Sequence, residues 1–202
     1  MFTETCCSTL KQAVEARDRG TGRLELCEDL SVGGVTPRRE LILSVLEAVS
    51  PLPVNVLVRP RGGDFVFTPE ETQRMVEDIA FCRTAGVSGV VIGALDKDGN
   101  VDMATMRALI QEARPMSVTF HRAFDVCADP RAAFEDICRL GCERLLTSGH
   151  GPDAWGGREL IAELVRKAAG RIIVMPGCGV TPENIEALAE CTRASEFHGT
   201  RL

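Results

Sequence analysis

Short apolar segments alternate with helical patterns along the whole chain, and this alternation restricts the possible folds more than any other feature. Eight segments have the length and the apolar character of buried strands. They cover residues 3–7, 23–27, 54–59, 87–93, 116–121, 142–147, 171–176 and 195–198. Strands that alternate with helices predict a parallel sheet, and eight of them favour a (β/α)8 barrel over an open doubly wound sheet.

The helix boundaries carry their own signals. Thr68 precedes Pro69 and is followed by Glu71, which is the pattern of an N-cap, a first-turn proline and a capping box. The sequence ends four residues after the eighth predicted strand, where a complete barrel has one more helix. We therefore expect one TIM-barrel-like domain over residues 1–202, with the final helix missing or truncated.

Composition and charge exclude several classes of partner. The chain has 23 Lys and Arg against 29 Asp and Glu, and no basic stripe, so a nucleic-acid or anionic-membrane surface is not expected. The N-terminal segment lacks the apolar core of a signal peptide, which favours a cytoplasmic protein. Nine cysteines without a CxxC pair indicate neither a disulfide framework nor a zinc ribbon.

Strand alternation also predicts which side chains point into the barrel, because the apolar set must pack under the helices. The predicted interior residues are Glu4, Cys6, Glu25, Cys27, Asn55, Arg59, Thr119, His121, Glu196 and His198. Enclosed polar groups must pair with each other or with a ligand. A self-satisfied core of ion pairs is one alternative, but barrel sites form at the carboxyl ends of strands, which favours a ligand site.

Two segments suggest anion binding. Arg59 and Arg61 follow the third strand and can grip a carboxylate or phosphate, unless they only neutralise nearby acids. Gly177 and Gly179 follow the seventh strand, where barrels often bind phosphate, and Thr147 can add a donor. A plain turn is the simpler interpretation of the two glycines.

His121 is the candidate acid or base. Asp125 or Glu196 can orient it, and it shares the predicted interior with His198, which we group with the anion-binding residues. The resulting hypothesis is a barrel enzyme of lyase, isomerase or hydrolase type, acting on a small anionic or phosphorylated metabolite. The arginines would hold the anion, His121 would move a proton, and Glu25 or Asp125 would assist.

Cys6 and Cys27 end two adjacent predicted strands at matching heights. Neighbouring strands lie about 4.8 Å apart, a separation at which two thiolates suit a soft ion such as Cu(I). From the spacing alone, two small core residues remain the simpler explanation.

Several motifs together resemble the CutC copper homeostasis family. They are Glu4-Thr5-Cys6, RLELC from Arg23, GGVTP from Gly33, RPRGGDF from Arg59, GALDKDGNVD from Gly93, TFHRAFD from Thr119, LTSG from Leu146 and MPGCGVT from Met175. The resemblance spans nearly all of the chain. It implies a TIM-barrel-like fold, a cytoplasmic homo-oligomer, a role in copper homeostasis and Cu(I) binding at Cys6 and Cys27. Family members continue past Glu196-Phe197-His198, whereas this sequence stops soon after it.

Overall fold

The computed structural model describes residues 1–202, in which eight strands alternate with seven α-helices. The strands are β1 (Phe2–Cys7), β2 (Arg23–Leu26), β3 (Val54–Leu57), β4 (Gly89–Ile92), β5 (Ser117–Phe120), β6 (Arg144–Thr147), β7 (Ile173–Pro176) and β8 (Glu196–Gly199). The helices are α1 (Leu10–Asp18), α2 (Arg39–Val49), α3 (Pro69–Ala85), α4 (Met103–Ala113), α5 (Pro130–Leu140), α6 (Arg158–Ala168) and α7 (Ile185–Thr192). Short 3-10 helices occupy Leu30–Val32 and Arg122–Val126.

All strand pairs are parallel, in the order β7-β6-β5-β4-β3-β2-β1-β8. β7 and β8 complete the circle side by side without a ladder of their own. This nearly closed barrel confirms the predicted (β/α)8 TIM-barrel-like fold. Residues 200–202 form no helix after β8. None of the helices combines the length and the apolar character that crossing a bilayer requires.

Apolar side chains fill the space between the barrel and its helices. Leu24 of β2 and Val54 of β3 belong to one continuous cluster of 46 buried apolar residues, which also contains Ile42 and Val45 of α2. Inside the barrel, Cys6, Cys27, Leu57 and Val91 form a separate apolar cluster. The main core therefore lies outside the sheet, and the barrel interior is left for other side chains.

Four strands, β2 to β5, end one or two residues earlier than the sequence pattern predicts. Cys27, Arg59 and His121 lie one or two residues beyond β2, β3 and β5. The Cys27 and His121 N–H groups still donate to the neighbouring strand at 3.0 Å, whereas the Arg59 N–H donates to the Thr36 hydroxyl. The three side chains consequently lie at the carboxyl-terminal rim, which is where sites form in this fold.

The N-terminus of α3 has the capping box that the sequence predicts. The Thr68 hydroxyl accepts from the Glu71 N–H at 3.2 Å, and a Glu71 carboxylate oxygen accepts from the Thr68 N–H at 2.9 Å. The other Glu71 oxygen accepts from Arg61 Nε at 2.6 Å, which ties the loop after β3 to α3.

Loss of this cap has a measurable cost. We expect Thr68→Ala to lower the free energy of unfolding by about 1 kcal/mol, because one N–H of the first turn loses its acceptor. Urea unfolding measures the change. Thr72→Ala, one turn into the same helix, is the matched control and should shift stability by less than about 0.5 kcal/mol. Equal losses in both variants would contradict a specific capping role.

Candidate functional site

The barrel interior is polar, as alternation predicts. All ten residues assigned to it from the sequence are at most 9% exposed, so each is removed from bulk water. Their side chains form two layers. The lower layer is a closed ionic network, and the upper layer, at the rim, contains sulfur, carboxylate and imidazole groups.

The lower layer is centred on two arginines. Arg23 donates from Nε to Glu4 and from Nη2 to Glu196 at 2.8 Å, while Arg144 donates to the same Glu196 carboxylate at 2.7 Å. Asn55 adds a bond to Glu4 at 3.3 Å. Charged groups that are buried at this depth are tolerated because they are paired and hydrogen-bonded.

Glu4 links the lower layer to the upper one. Its second oxygen lies 2.9 Å from His198 Nδ1. Burial acts to raise the pKa of Glu4, but the hydrogen bond and charge of His198, together with Arg23, lower it to about 2. Burial opposes the charged form of His198, whereas the Glu25 and Glu4 carboxylates outweigh that effect and raise the pKa of the imidazole. Each partner therefore favours the charged form of the other, the carboxylate of Glu4 and the imidazolium of His198.

The upper layer brings two thiols together. Cys6 Sγ lies 3.6 Å from Cys27 Sγ and 3.8 Å from a Glu25 carboxylate oxygen. Ligand atoms of Cys6, Glu25 and His198 all lie within 4.8 Å of one another. The structure thus places three donor groups of β1, β2 and β8 together at the rim, with the Cys27 thiol, just after β2, beside Cys6.

Proton affinities in the upper layer are unusually high. The hydrogen bond with Cys27, burial and the Glu25 charge raise the pKa of the Cys6 thiol well above its usual value. Burial raises the pKa of Glu25 to about 7, with the Glu4 charge acting in the same direction and His198 against it. Glu25 Oε2 is buried without a hydrogen-bond partner and lies 4.0 Å from His198 Nδ1. Another positive charge at this point would stabilise every one of these deprotonated groups.

A cavity of about 520 Å³ opens above this cluster, at the carboxyl ends of the strands. Its lining residues are Cys6, Glu25, Cys27, Leu30, Gly33, Leu57, Arg59, Phe65, His121, Arg122, Asp125, Val126, Leu146, Cys178, Gly179, Val180, Thr181, His198, Gly199 and Thr200. That volume lies within the range of small-molecule sites, about 300–1,000 Å³. Single metal ions need far less space.

His121 lies in the cavity wall without a carboxylate partner. Its Nδ1 accepts from the Ala123 N–H at 3.2 Å, and its Nε2 has no partner. Burial, followed by the charge of Arg59, lowers the pKa of the imidazole to about 3. Neither Asp125 nor Glu196 hydrogen-bonds to His121, so the backbone of the following turn orients the ring.

The two arginines of the loop after β3 separate in the structure. Arg59 lies in the cavity wall, whereas Arg61 is outside it. Arg61 pairs with Glu71 and with Asp64 at 2.9 Å, and it donates to loop carbonyls. These contacts hold the loop on α3. The predicted two-arginine grip is therefore not assembled, and Arg59 alone faces the candidate site.

Asp125 and Thr147 act together in a loop contact. Asp125 accepts from the Thr147 hydroxyl and from the Ser148 N–H at 3.0 Å, and it pairs with Arg122 at 2.8 Å. Asp125 borders the cavity, whereas Thr147 does not. These bonds tie the 3-10 helix after β5 to the end of β6 and the loop that follows it, and they account for both oxygens of Asp125.

Of the two glycines predicted to bind phosphate after β7, only one borders the cavity. Gly179 has a φ of +72° and borders the cavity, whereas Gly177 packs below it. A Cβ on Gly177 would lie 2.4 Å from Leu146 and 3.4 Å from His198. Gly177 therefore provides room for the Leu146 side chain, and His198 lies at contact distance beside it.

The sequence interpretation missed three residues. Arg23 and Arg144 are central to the lower layer, and Phe65 lies in the cavity wall. Arg23 has the same strand parity as Glu25, so alternation contained the signal. Arg144 begins a strand that alternation alone did not orient, and Phe65 comes from a loop with no periodicity.

The loop after β6 carries the single tryptophan of the chain. Trp155 is half-exposed, and the Arg158 guanidinium lies 4.8 Å from its ring centroid. The neighbouring Ala154 N–H donates to the Cys178 carbonyl at 2.9 Å, and Cys178 borders the cavity. The indole therefore lies close behind the cavity wall.

The fold and the site define a TIM-barrel protein whose strand ends present thiol, carboxylate and imidazole donors beneath a small-molecule-sized cavity. The CutC family model matches residues 1–202. A family protein CutC of Parabacteroides distasonis is 50% identical over 195 residues, which cover 96% of this chain and 80% of the relative. The chain belongs to the CutC family.

Solved structures agree with this assignment. A structure described provisionally as the copper homeostasis protein CutC of Streptococcus agalactiae is 31% identical, with a TM-score of 0.94, and the match covers 100% of this chain and 99% of the other. A structure described as an aldolase has a TM-score of 0.70 at 14% identity, covering 99% of this chain and 89% of its own. That second likeness shows the barrel fold alone.

Proposed function

We propose that this protein serves copper homeostasis by binding Cu(I) at the rim of the barrel, with Cys6 and Cys27 as thiolate ligands. The observation that carries the proposal is the 3.6 Å separation of the two sulfurs at the end of β1 and just after β2. Metal–sulfur bonds of about 2.3 Å at a tetrahedral angle separate two sulfurs by about 3.8 Å. The pair would accept an ion with little movement.

His198 supplies a further ligand in this proposal. Its Nδ1 is engaged by Glu4 at 2.9 Å, which leaves Nε2 for the ion. A carboxylate that holds the second nitrogen of a ligating histidine is the common outer-shell arrangement of metal sites. Thiolates and imidazole are ligands that suit a soft ion, while Glu25 is the hardest donor of the group.

The high proton affinities at the site also fit ion capture. Binding must displace the thiol protons, so Cu(I) affinity should rise with pH. Buried thiols that remain protonated without metal do not react readily with oxidants. Nine free thiols are chemically suited to a reducing compartment such as the cytoplasm. A homo-oligomer, as the family resemblance implies, is part of the same proposal.

Anaerobic Cu(I) titration against a chromophoric chelator tests the proposal. We expect wild-type protein to bind one Cu(I), and Cys6→Ala/Cys27→Ala to lose at least 100-fold in affinity, because both thiolate bonds disappear. The matched control is Cys138→Ala/Cys191→Ala, which removes two thiols far from the rim. Equal Cu(I) affinity in the two double variants would overturn the assignment.

A barrel enzyme is the second candidate function, and the size of the cavity favours it. A volume of about 520 Å³ can hold an organic molecule, and its wall contains the neutral imidazole of His121 and the Glu25 carboxyl with its raised pKa. A carboxyl with a pKa near 7 can move a proton near neutral pH, and a neutral imidazole with a lowered pKa can donate a hydrogen bond to a polarised oxygen. Such a reaction would require an organic ligand beside His121.

A further inference from the structure

Arg59 is a buried cation without a counter-charge. It is 5% exposed, yet no carboxylate lies within ion-pairing distance of its guanidinium. Its Nη atoms donate only to the backbone carbonyls of Val32, Gly34 and Gly63, at 2.7 to 3.1 Å. Arg23, which is equally buried, has two carboxylates. Because a buried charge is costly unless it is compensated, Arg59 lacks an anion that Arg23 possesses.

The nearest acid does not remove this imbalance. Asp64 pairs with Arg61, and its side chain is 69% exposed. Arg61 itself adds positive charge beside Arg59. The Asp64 charge offsets the Arg61 charge at Arg59, but it acts from an exposed position and makes no ion pair with Arg59.

His121 adds a second unsatisfied donor in the same wall. Because Nδ1 accepts the Ala123 N–H, it carries no proton, and the neutral ring must carry its proton on Nε2. His121 Nε2 and Arg59 Nε are both buried N–H groups with no acceptor. Buried donors without partners are rare in native structures and call for an explanation.

Phe65 connects these two side chains and covers them. The Arg59 guanidinium lies 4.6 Å from the Phe65 ring centroid, and the His121 ring centroid lies 5.0 Å from it. The same ring, with Leu30 and Val126, contributes apolar surface to the cavity. Access of an oxyanion to these buried N–H groups would require the Phe65 side chain to turn aside, after which its ring could pack on the ligand.

We propose that the cavity binds a small organic anion, whose carboxylate or phosphate oxygens accept from Arg59 Nε and His121 Nε2 and whose carbon skeleton packs against Phe65, Leu30 and Val126. The anion contacts use other residues than the Cys6–Cys27 pair, which borders the same cavity, and they do not depend on copper. The ligand is a partly apolar acid of a few carbons, because the cavity of about 520 Å³ is too small for a polymer.

Matched pairs of probes test the ligand class. The Tm of wild-type protein is measured at equal ionic strength in each of two matched pairs. The first pair compares 3-hydroxybutanoate with butane-1,3-diol, and the second compares glycerol 3-phosphate with glycerol. For a Kd near 1 mM, the anion at 10 mM should raise Tm by about 3–6 °C, while its neutral counterpart should not. A shift in one pair only identifies that headgroup. The absence of an anion-specific shift in both pairs would overturn the proposal.

Two variants of His121 separate the donor from the structural role of the ring. His121→Asn keeps an acceptor near the Ala123 N–H but does not reach the Nε2 position, whereas His121→Gln reaches that position with an amide N–H. We expect at least a tenfold loss of anion affinity in the first variant and less than a threefold loss in the second. Equal affinity of His121→Asn and wild type would refute the assigned contact.

A measurement on the unaltered chain covers the case in which a variant fails to fold. With three histidines, the ring ¹⁵N–¹H signals are readily assigned. The His121 Nε2–H signal should move on addition of the binding anion and stay in place with its neutral counterpart. Anion binding should persist in Cys6→Ala/Cys27→Ala, which makes failure here distinguishable from failure of the copper proposal.

Discussion

Glu4→Ala should lower the free energy of unfolding by about 3–5 kcal/mol, the largest loss that we expect from any single substitution in this chain. Glu4 is fully buried and bonds Arg23, Asn55 and His198. Without Glu4, the buried Arg23 keeps only the Glu196 carboxylate, and His198 Nδ1 loses its hydrogen-bond acceptor. Urea unfolding at pH 7 gives the change from the midpoint and slope.

Two further variants make this result interpretable. Glu4→Gln retains the size and one acceptor oxygen but not the charge, so its loss should be smaller than that of Glu4→Ala. Glu163→Ala breaks an ion pair with Arg131 on the surface and should leave the midpoint almost unchanged, because solvent screens such pairs. A Glu4→Ala midpoint equal to that of Glu163→Ala would show that the lower layer does not stabilise the barrel.

The acid sensitivity of the metal-free protein should depend on His121. Its pKa is lowered from 6.5 to about 3 in the folded state, so the unfolded chain binds the proton more tightly between these values. The contribution of the neutral His121 ring to the free energy of unfolding is fully present above pH 6.5 and decreases as the pH falls toward 3. Between pH 7 and pH 4.5 the loss amounts to about 2–3 kcal/mol.

The His121→Asn variant isolates that effect, because it lacks the titrating ring. Between pH 7 and pH 4.5 its free energy of unfolding should fall less steeply than that of wild type, by about the same 2–3 kcal/mol. His150→Asn, which removes an exposed histidine, is the matched control. Parallel curves for wild type and His121→Asn would mean that the ring is not buried in its neutral form.

Local sequence signals predict most of the scaffold. Alternation identified all eight strands, and it assigned Glu25, His121 and His198 to an interior where the structure buries them. Such predictions succeed because the outer face of each strand must be apolar, whatever the rest of the chain does. The capping box at Thr68 succeeds for a similar reason, since its bonds span only three residues.

Partner choice within the site is not predictable in this way. Arg61 shares its motif with Arg59, yet it pairs with Glu71, which is fixed by a helix that the motif does not include. Glu196 bonds Arg23 across 173 residues of sequence, a contact that exists only after the barrel closes. The position of Phe65 over Arg59 and His121 depends on a loop conformation that no periodic pattern encodes.

Trp155 is an intrinsic fluorescence probe of this protein. The chain has one tryptophan and no tyrosine, so nearly all of its near-ultraviolet emission originates from a single indole. That indole lies on the loop whose Ala154 N–H is bonded to Cys178 at the cavity wall. We expect occupation of the cavity to change this emission through that bond, which fluorescence would follow without a label or an engineered probe.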